Sequence, residues 1–87
     1  MPAIVLTLAN SSGNLLMLMI EPEGADYWLS PGEEVELRAG SKKKGGRFVV
    51  QYCDDHIAIL PWDVRSITVF QDGAKLKCGH KRPKKKA

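Results

Sequence analysis

Apolar and polar residues alternate with a period of two along several short stretches of the chain. Residues 4–8 show the alternation first, residues 34–39 show it most clearly, and residues 47–53 repeat it with Phe48, Val50 and Tyr52 on one face. Because neighbouring side chains of a strand point to opposite faces, each stretch is predicted to be a half-buried β-strand. No long window has the spacing of an amphipathic helix.

The most apolar run, Leu15–Ile20, is predicted to be a strand without a polar face. The turn-forming cluster Asn10–Asn14 precedes it, so we expect this second strand to pair antiparallel with the first. A chain of 87 residues has little material to cover both faces of one strand. Two interpretations remain: the strand is central and buried on both sides, or its outer face meets a second subunit.

Turn signals separate the predicted strands at short intervals. Pro31-Gly32 is typical of a type II turn, and Asp72-Gly73 is typical of a two-residue type I′ hairpin. Pro61-Trp62-Asp63 is predicted to end the strand before it. The pattern indicates an all-β fold, a small antiparallel β-sandwich or barrel of about seven strands, with residues 1–79 forming a single domain.

The net charge of +3 hides an uneven distribution along the chain. Residues 1–74 carry six basic and ten acidic groups, whereas residues 75–87 carry seven basic groups and no acidic one. Residues 80–87 have almost nothing apolar to bury and are predicted to be a disordered basic tail. Such a tail either keeps the protein soluble, binds nucleic acid, or lies on the acidic strand of another molecule.

The expected location is the cytoplasm. The first residues lack the basic start of a signal peptide, and no apolar run approaches the length of a membrane span, so no membrane partner is expected. In that compartment the two cysteines would remain reduced.

The segment from Ile20 to Glu34 resembles a group of small bacterial proteins of uncharacterised function. It contains Glu21-Pro22-Glu23-Gly24, then Leu29-Ser30-Pro31-Gly32-Glu33, which is similar to the Glu-Pro-x-Gly and Leu-x-Pro-Gly-Glu turns of that group. The resemblance extends over roughly residues 15–76 and departs from the pattern at Glu23 and His56. The resemblance implies a compact β domain and implies no particular activity.

The main functional hypothesis is a non-catalytic binding or scaffolding domain that acts through a protein interface, with a second copy of the chain as the expected partner. The apolar second strand and the aromatic residues, taken to be exposed, are its candidate residues. They are Leu15, Met17, Met19, Tyr27, Trp28 and Trp62.

A second hypothesis is nucleic-acid binding through the basic tail and the lysine-rich loop before residue 45. Lysine and arginine neutralise phosphates without regard to sequence, and Phe70 beside Lys75 would offer a stacking surface. The candidate residues are Lys42, Lys43, Lys44, Lys81, Arg82, Lys84, Lys85 and Lys86.

A third hypothesis is a zinc site formed by Cys53, His56, Cys78 and His80. Two thiolates and two imidazoles suit a tetrahedral zinc ion. The competing interpretation is that Cys78, opposite Ile67 in the predicted hairpin, is a small buried apolar residue. No spacing typical of a catalytic site occurs, so the sequence predicts that the protein is not an enzyme and uses no cofactor.

Overall fold

A computed structural model describes residues 3–40 and 45–84. This part of the chain folds as β-strands and contains no helix that is long and apolar enough to cross a membrane. The predicted all-β class is confirmed. The strands are β1 (Ala3–Ala9), β2 (Leu16–Ile20), β3 (Ala25–Leu29), β4 (Glu34–Gly40), β5 (Arg47–Tyr52), β6 (His56–Trp62), β7 (Thr68–Gln71) and β8 (Ala74–Lys75).

The strands form two four-stranded sheets. The first sheet has the strand order β1-β4-β7-β8, and the second sheet has the order β3-β2-β6-β5. All neighbouring strands are antiparallel except β2 and β6, which are parallel. The sequence pattern predicted only antiparallel pairs. Parallel neighbours need a long crossover connection, and it includes β3 and β5 of the second sheet and β4 of the first.

One hydrophobic core lies between the inner faces of the two sheets. On β4 the inward residues Val35, Leu37 and Ala39 are buried, while the intervening Glu34 and Arg38 are exposed, so the predicted alternation is confirmed. Buried side chains from both sheets contact one another and exclude water, which is the main stabilising contribution in a domain of this size. The core cluster is Leu18, Ile20, Tyr27, Leu29, Val35, Leu37, Ile59 and Val69.

The predicted pairing of β1 with β2 is wrong, because the residue 10–14 turn crosses between the sheets. β1 pairs with β4 along its whole length, and β2 lies in the other sheet between β3 and β6. Asn10, only 2% exposed, holds this crossover together. Its side-chain amide donates to the carbonyls of Asn14 (2.8 Å) and Leu29 (2.9 Å), and its oxygen accepts from Ser12. The Asn10 side chain thus ties the residue 10–14 turn to the end of β3, and the turn does not close a hairpin between β1 and β2.

The two faces of β2 have different surroundings. Leu18 and Ile20 are buried in the core, whereas Met17 and Met19 point to the outer face and are half-buried. The strand is therefore central in its sheet but has only one fully covered face. Leu15 lies before the strand and is exposed.

Two predicted turns are confirmed. Gly32 has a φ of 86°, and the Glu33 amide donates to the Ser30 carbonyl at 3.0 Å, as a type II turn requires. Asp72 and Gly73 have φ values of 50° and 80°, the positive pair of a type I′ hairpin. Local chemistry alone determines these geometries.

The hairpin register is confirmed near the turn but ends sooner than expected. Phe70 lies opposite Lys75 as predicted, and the Leu76 amide still bonds to the Val69 carbonyl at 2.8 Å. β8 itself ends at Lys75. Cys78 is exposed, so the interpretation of Cys78 as a small buried residue is wrong. The chain has by then left the first sheet.

β6 continues through Pro61 to Trp62, whereas the sequence analysis ended this strand before Pro61. The Cys53 amide donates to the His56 carbonyl at 2.8 Å, which makes this pair hydrogen-bonded in the β5–β6 ladder. Bonded and non-bonded pairs alternate in an antiparallel ladder, so Pro61, opposite Phe48, occupies a non-bonded pair. Its missing N–H therefore costs the ladder nothing.

The chain after β8 crosses from the first sheet to the free edge of β3. The Gly79 amide donates to the Asp26 carbonyl at 2.6 Å, and the Trp28 amide donates to the His80 carbonyl at 2.9 Å. His80 forms a parallel bridge with Tyr27. The predicted tail begins at residue 80, and in the structure His80 lies against β3.

Candidate functional site

Exposed apolar residues concentrate along one edge of the second sheet. Val49 (39% exposed), Val50 (47%), Tyr52 (82%) and Trp62 (56%) are four of the large hydrophobic residues that the structure leaves exposed. All four lie on β5 or at the end of β6, and we call them the β5–β6 patch. The remaining two, Val5 and Leu15, lie elsewhere.

The patch is exposed because β5 is an edge strand that the first sheet does not cover. Phe48 packs against the core, but Val50 and Tyr52 on the same face of β5 remain exposed. On the opposite face, Val49 lies beside Leu60 in the β5–β6 ladder. β5 therefore presents apolar side chains on both of its faces.

The backbone of β5 has free hydrogen-bonding groups as well. Because the Cys53–His56 pair is bonded, the pairs of Gln51 and Val49 with β6 are bonded too, and the alternate residues are not. The N–H and C=O groups of Phe48, Val50 and Tyr52 thus point away from β6. Among the described residues no strand pairs with β5 on that side.

Trp62 and Arg47 form a pair at the outer face of the patch. They lie opposite each other in the ladder, and the Arg47 guanidinium carbon is 5.2 Å from the centre of the Trp62 ring. A cation over an aromatic face is held by the charge distribution of the ring. This contact fixes the orientation of an indole that is otherwise more than half exposed.

The outer face of the second sheet extends the apolar surface from the patch toward β3. Met17 lies between Trp28 and His56, and Met19 lies between Asp26 and Ala58. The structure therefore brings three of the predicted interface residues, Met17, Met19 and Trp28, onto the same face of the sheet as Trp62. They are half-buried by their neighbours, so they border the patch without forming its exposed centre.

The sequence prediction for Tyr27 as an exposed interface residue is wrong. Tyr27 is 8% exposed and lies opposite Leu18 on the core-facing side of β3. Adjacent residues of a strand face opposite ways, so only one of Tyr27 and Trp28 can lie on the outer face. Leu15 is exposed as expected but lies outside β2.

Val49, Val50 and Tyr52 are the residues of the patch that were not predicted from the sequence, and Val50 and Tyr52 are the ones for which burial was expected. The alternation of β5 placed both on the same face as Phe48, and this alone predicted burial. The available signal was the shortage of other strands to cover that face in so short a chain. Which strand lies at an edge depends on the sheet order, which the pattern of one strand does not contain.

The basic segment is attached to the body by an ion pair between Arg82 and Asp26. The guanidinium donates to both carboxylate oxygens, at 2.7 Å from Nε and 2.5 Å from Nη2. The same carboxylate accepts from the Trp28 indole N–H at 2.8 Å and lies 3.6 Å from the Cys78 Sγ. The Arg82 hydrogen bonds, with help from Trp28, hold the pKa of Asp26 well below its usual range despite burial.

A second ion pair joins Lys81 to Glu33. The Lys81 Nζ lies 2.7 Å from Glu33 Oε2, and the other carboxylate oxygen accepts from the Ser30 amide at 2.7 Å. The Lys81 hydrogen bond is the larger cause, and together these contacts lower the pKa of Glu33 to about 2. Asp26 and Glu33 are thus partners of this chain's own basic segment.

These contacts bear on the residues predicted to bind nucleic acid. The charges of Lys81 and Arg82 are already paired, whereas Lys84 is exposed. The Phe70 ring is covered by the Arg38 guanidinium, 4.4 Å from the ring centre, so this face does not offer the predicted stacking surface. Lys42, Lys43, Lys44, Lys85 and Lys86 lie outside the described residues.

The four predicted zinc ligands do not meet. Cys53 and His56 close the β5–β6 turn, whereas Cys78 and His80 lie by the β3 edge. β2 and β3 separate the two pairs, and strands in a sheet are about 4.8 Å apart. Within residues 3–40 and 45–84 no group of three or more histidine, cysteine or carboxylate side chains could hold a metal ion. The predicted zinc site is therefore not formed.

An open groove of about 760 Å³ lies beside the end of β6. Its walls combine the apolar Pro22 and Ile67 with the charged Glu21, Asp63 and Arg65. Its polar residues are surface groups of both signs. This mixture selects no particular ligand chemistry.

Comparison of the chain with protein-family models, with curated proteins and with solved structures found no match. The resemblance to small bacterial proteins therefore stays a prediction. Function is inferred from the side chains and the exposed backbone of this chain alone.

Proposed function

We propose that the chain is a non-catalytic, cytoplasmic protein-interaction module that associates with a second copy of itself through the β5–β6 patch. The observation that supports this proposal is the exposure of Val49, Val50, Tyr52 and Trp62 at one end of one sheet. Apolar surface in contact with water is unfavourable, and several large apolar side chains exposed along one edge strand of a small domain are typical of an interaction site.

The outer face of the first sheet provides an internal comparison. Its β4 residues Glu34, Glu36 and Arg38 are charged, which is the usual composition of a sheet face in contact with solvent. Among the described residues of that face, Val5 on β1 is the single large apolar side chain that is exposed, at 52%. The two sheets therefore differ in the chemistry of their exposed surface, and only the second has the composition of an interface.

The residues of the patch suit protein binding. Tyr52 and Trp62 are large aromatic side chains, a type that is enriched at interfaces and often contributes most of the binding energy. Arg47 adds a cation whose guanidinium is already oriented by Trp62. Apolar anchors with a charged group beside them favour a protein partner over a small molecule.

Sedimentation equilibrium of the full chain tests the proposal. The wild-type protein is expected to show a reversible monomer–dimer equilibrium up to high micromolar concentration. Tyr52→Asp places a charge in the patch and is expected to weaken dimerisation by about tenfold or more. Val5→Asp is the matched control, because it introduces the same charge at an exposed apolar position of the other sheet.

Two results would contradict the proposal. One is a wild-type protein that stays monomeric at high micromolar concentration. The other is an equal effect of Tyr52→Asp and Val5→Asp, which would show that added charge, and not the patch, controls association.

A further inference from the structure

We infer that the two copies join by antiparallel pairing of β5 with β5, with the twofold axis passing beside Val50. The inference rests on the proposed self-association and specifies how it is achieved. The two second sheets would become one continuous sheet through their free edges. A free edge with unpaired backbone groups is a ready template for another strand.

The backbone groups of β5 fit this register. The N–H and C=O groups that point to the free edge belong to Phe48, Val50 and Tyr52, as the β5–β6 ladder shows. With the axis at Val50, Val50 pairs with Val50 of the second copy, and Phe48 pairs with its Tyr52. All three outward-pointing residues of each copy then form hydrogen-bonded pairs, and none is left over.

The side chains of β5 fit the same register. Residues that lie opposite each other in an antiparallel pair share a face, so the exposed Tyr52 would cover Phe48 of the second copy, and the two Val50 side chains would meet. A shift by one residue would set inward-facing residues against outward-facing ones. A shift by two residues toward the start of β5 would place Tyr52 opposite Gly46, which has no side chain to cover it.

Charge favours a second copy of this chain as the added strand. Arg47 begins β5, and the exposed Asp54 and Asp55 follow its end. Antiparallel pairing places the basic beginning of one strand beside the acidic end of the other. Because of the twofold symmetry, this contact forms once at each end of the strand pair. A strand with this polarity is complementary to itself when reversed.

The predicted dimer is weak, because β5 has six residues and an edge pair of this length buries little surface. Stable complexes bury roughly 1,200–2,000 Å² in total, and the pairing of two six-residue strands is expected to bury less. Association is therefore expected to depend on concentration, which makes a covalent trap the most direct test.

Disulfide trapping tests the register in the full chain with Cys53 and Cys78 replaced by serine. Hydrogen-bonded residues of an antiparallel pair have Cα atoms about 5.5 Å apart, within the range that a disulfide spans. Val50→Cys is therefore expected to give a covalent dimer at least about tenfold faster than Val5→Cys under mild oxidation. Val5 is the matched control because it is a valine of similar exposure on an edge strand of the first sheet.

Val50→Pro tests the backbone hydrogen bonds separately from side-chain packing. The Val50 N–H donates no hydrogen bond within the β5–β6 ladder, and proline is tolerated on an edge strand. The variant monomer should therefore stay folded, as judged by circular dichroism. The dimer seen in sedimentation equilibrium should be lost. A folded Val50→Pro variant that dimerises like wild type would overturn the inference.

The outcomes separate this inference from the proposed function. A dimer that is weakened by Tyr52→Asp, but neither trapped by Val50→Cys nor lost in Val50→Pro, would overturn the edge pairing and leave the patch as the interface. A wild-type protein that is monomeric at high micromolar concentration would overturn both.

Discussion

Replacement of Asp26 by asparagine tests how the C-terminal segment is held on β3. The Asp26 carboxylate accepts hydrogen bonds from Arg82 on both oxygens and from Trp28 on one of them. Asparagine has nearly the same shape but no charge, and one of its two terminal atoms is a donor. Asp26→Asn therefore sets an N–H group against N–H groups without altering the packing of β3.

The expected loss follows from the bonds that an amide cannot keep. A hydrogen bond to a charged group contributes about 1.5–3 kcal/mol, and one neutral bond contributes about 1 kcal/mol. The Arg82 side chain is 56% exposed, so solvent screens its attraction and the lower end of the range applies. We expect Asp26→Asn to lower the free energy of unfolding by about 2 kcal/mol at neutral pH.

The sign of the pH dependence follows from the lowered pKa of Asp26. A carboxyl group whose pKa is lower in the folded state than in the unfolded state stabilises the fold at any pH above the pKa of the unfolded state. For aspartate that pKa is near 3.9. This stabilisation is lost as the pH falls through the lowered pKa. The difference between wild type and Asp26→Asn should therefore be constant from pH 7 to about pH 5 and shrink below pH 4.

Urea unfolding and amide hydrogen exchange measure these effects. The Trp28 amide donates to the His80 carbonyl, and the Gly79 amide donates to the Asp26 carbonyl. Both amides should therefore exchange faster in Asp26→Asn. Glu23→Gln is the matched control, since Glu23 is exposed and should change stability by less than about 0.5 kcal/mol. Unchanged protection of Trp28 and Gly79 in Asp26→Asn would refute the reasoning.

Two further predictions concern the core and the crossover. Leu37→Ala removes a side chain with no exposed surface and should destabilise the fold by about 3–4 kcal/mol in urea unfolding, whereas Val5→Ala on the outer face should cost far less. Asn10→Ala removes the side-chain hydrogen bonds to Ser12 and Asn14 within the turn and to the Leu29 carbonyl, and should cost about 2–4 kcal/mol. A loss below about 1 kcal/mol for Asn10→Ala would show that water replaces its partners.

Local features of the fold could be predicted from the sequence, whereas the pairing of strands within the two sheets could not. The alternation of β4 and the turns at Gly32 and Asp72-Gly73 depend on neighbouring residues, and the structure confirms them. The pairing of β1 with β4 and the parallel contact of β2 with β6 join residues distant in sequence. Many strands have apolar faces that would fit, so the pattern of one strand does not specify its neighbour.

The same limit applies to the candidate site. The sequence showed that residues 1–74 are net acidic and residues 75–87 are basic, and one interpretation placed the tail on the acidic strand of another molecule. In the structure Arg82 binds Asp26 and Lys81 binds Glu33 within one chain. Charge composition predicts that such groups attract each other, but the path of the chain after β8 decides which copy supplies the partner.

The contact of Gly79 and His80 with β3 has a consequence for the size of any assembly. These residues occupy one edge of the second sheet, so β5 is the edge of that sheet that lacks a strand-like neighbour among the described residues. Two molecules joined at β5 would form an eight-stranded sheet with both ends already covered. Growth of this second sheet then stops at two subunits, whereas a sheet open at both edges could add molecules without limit and form fibres.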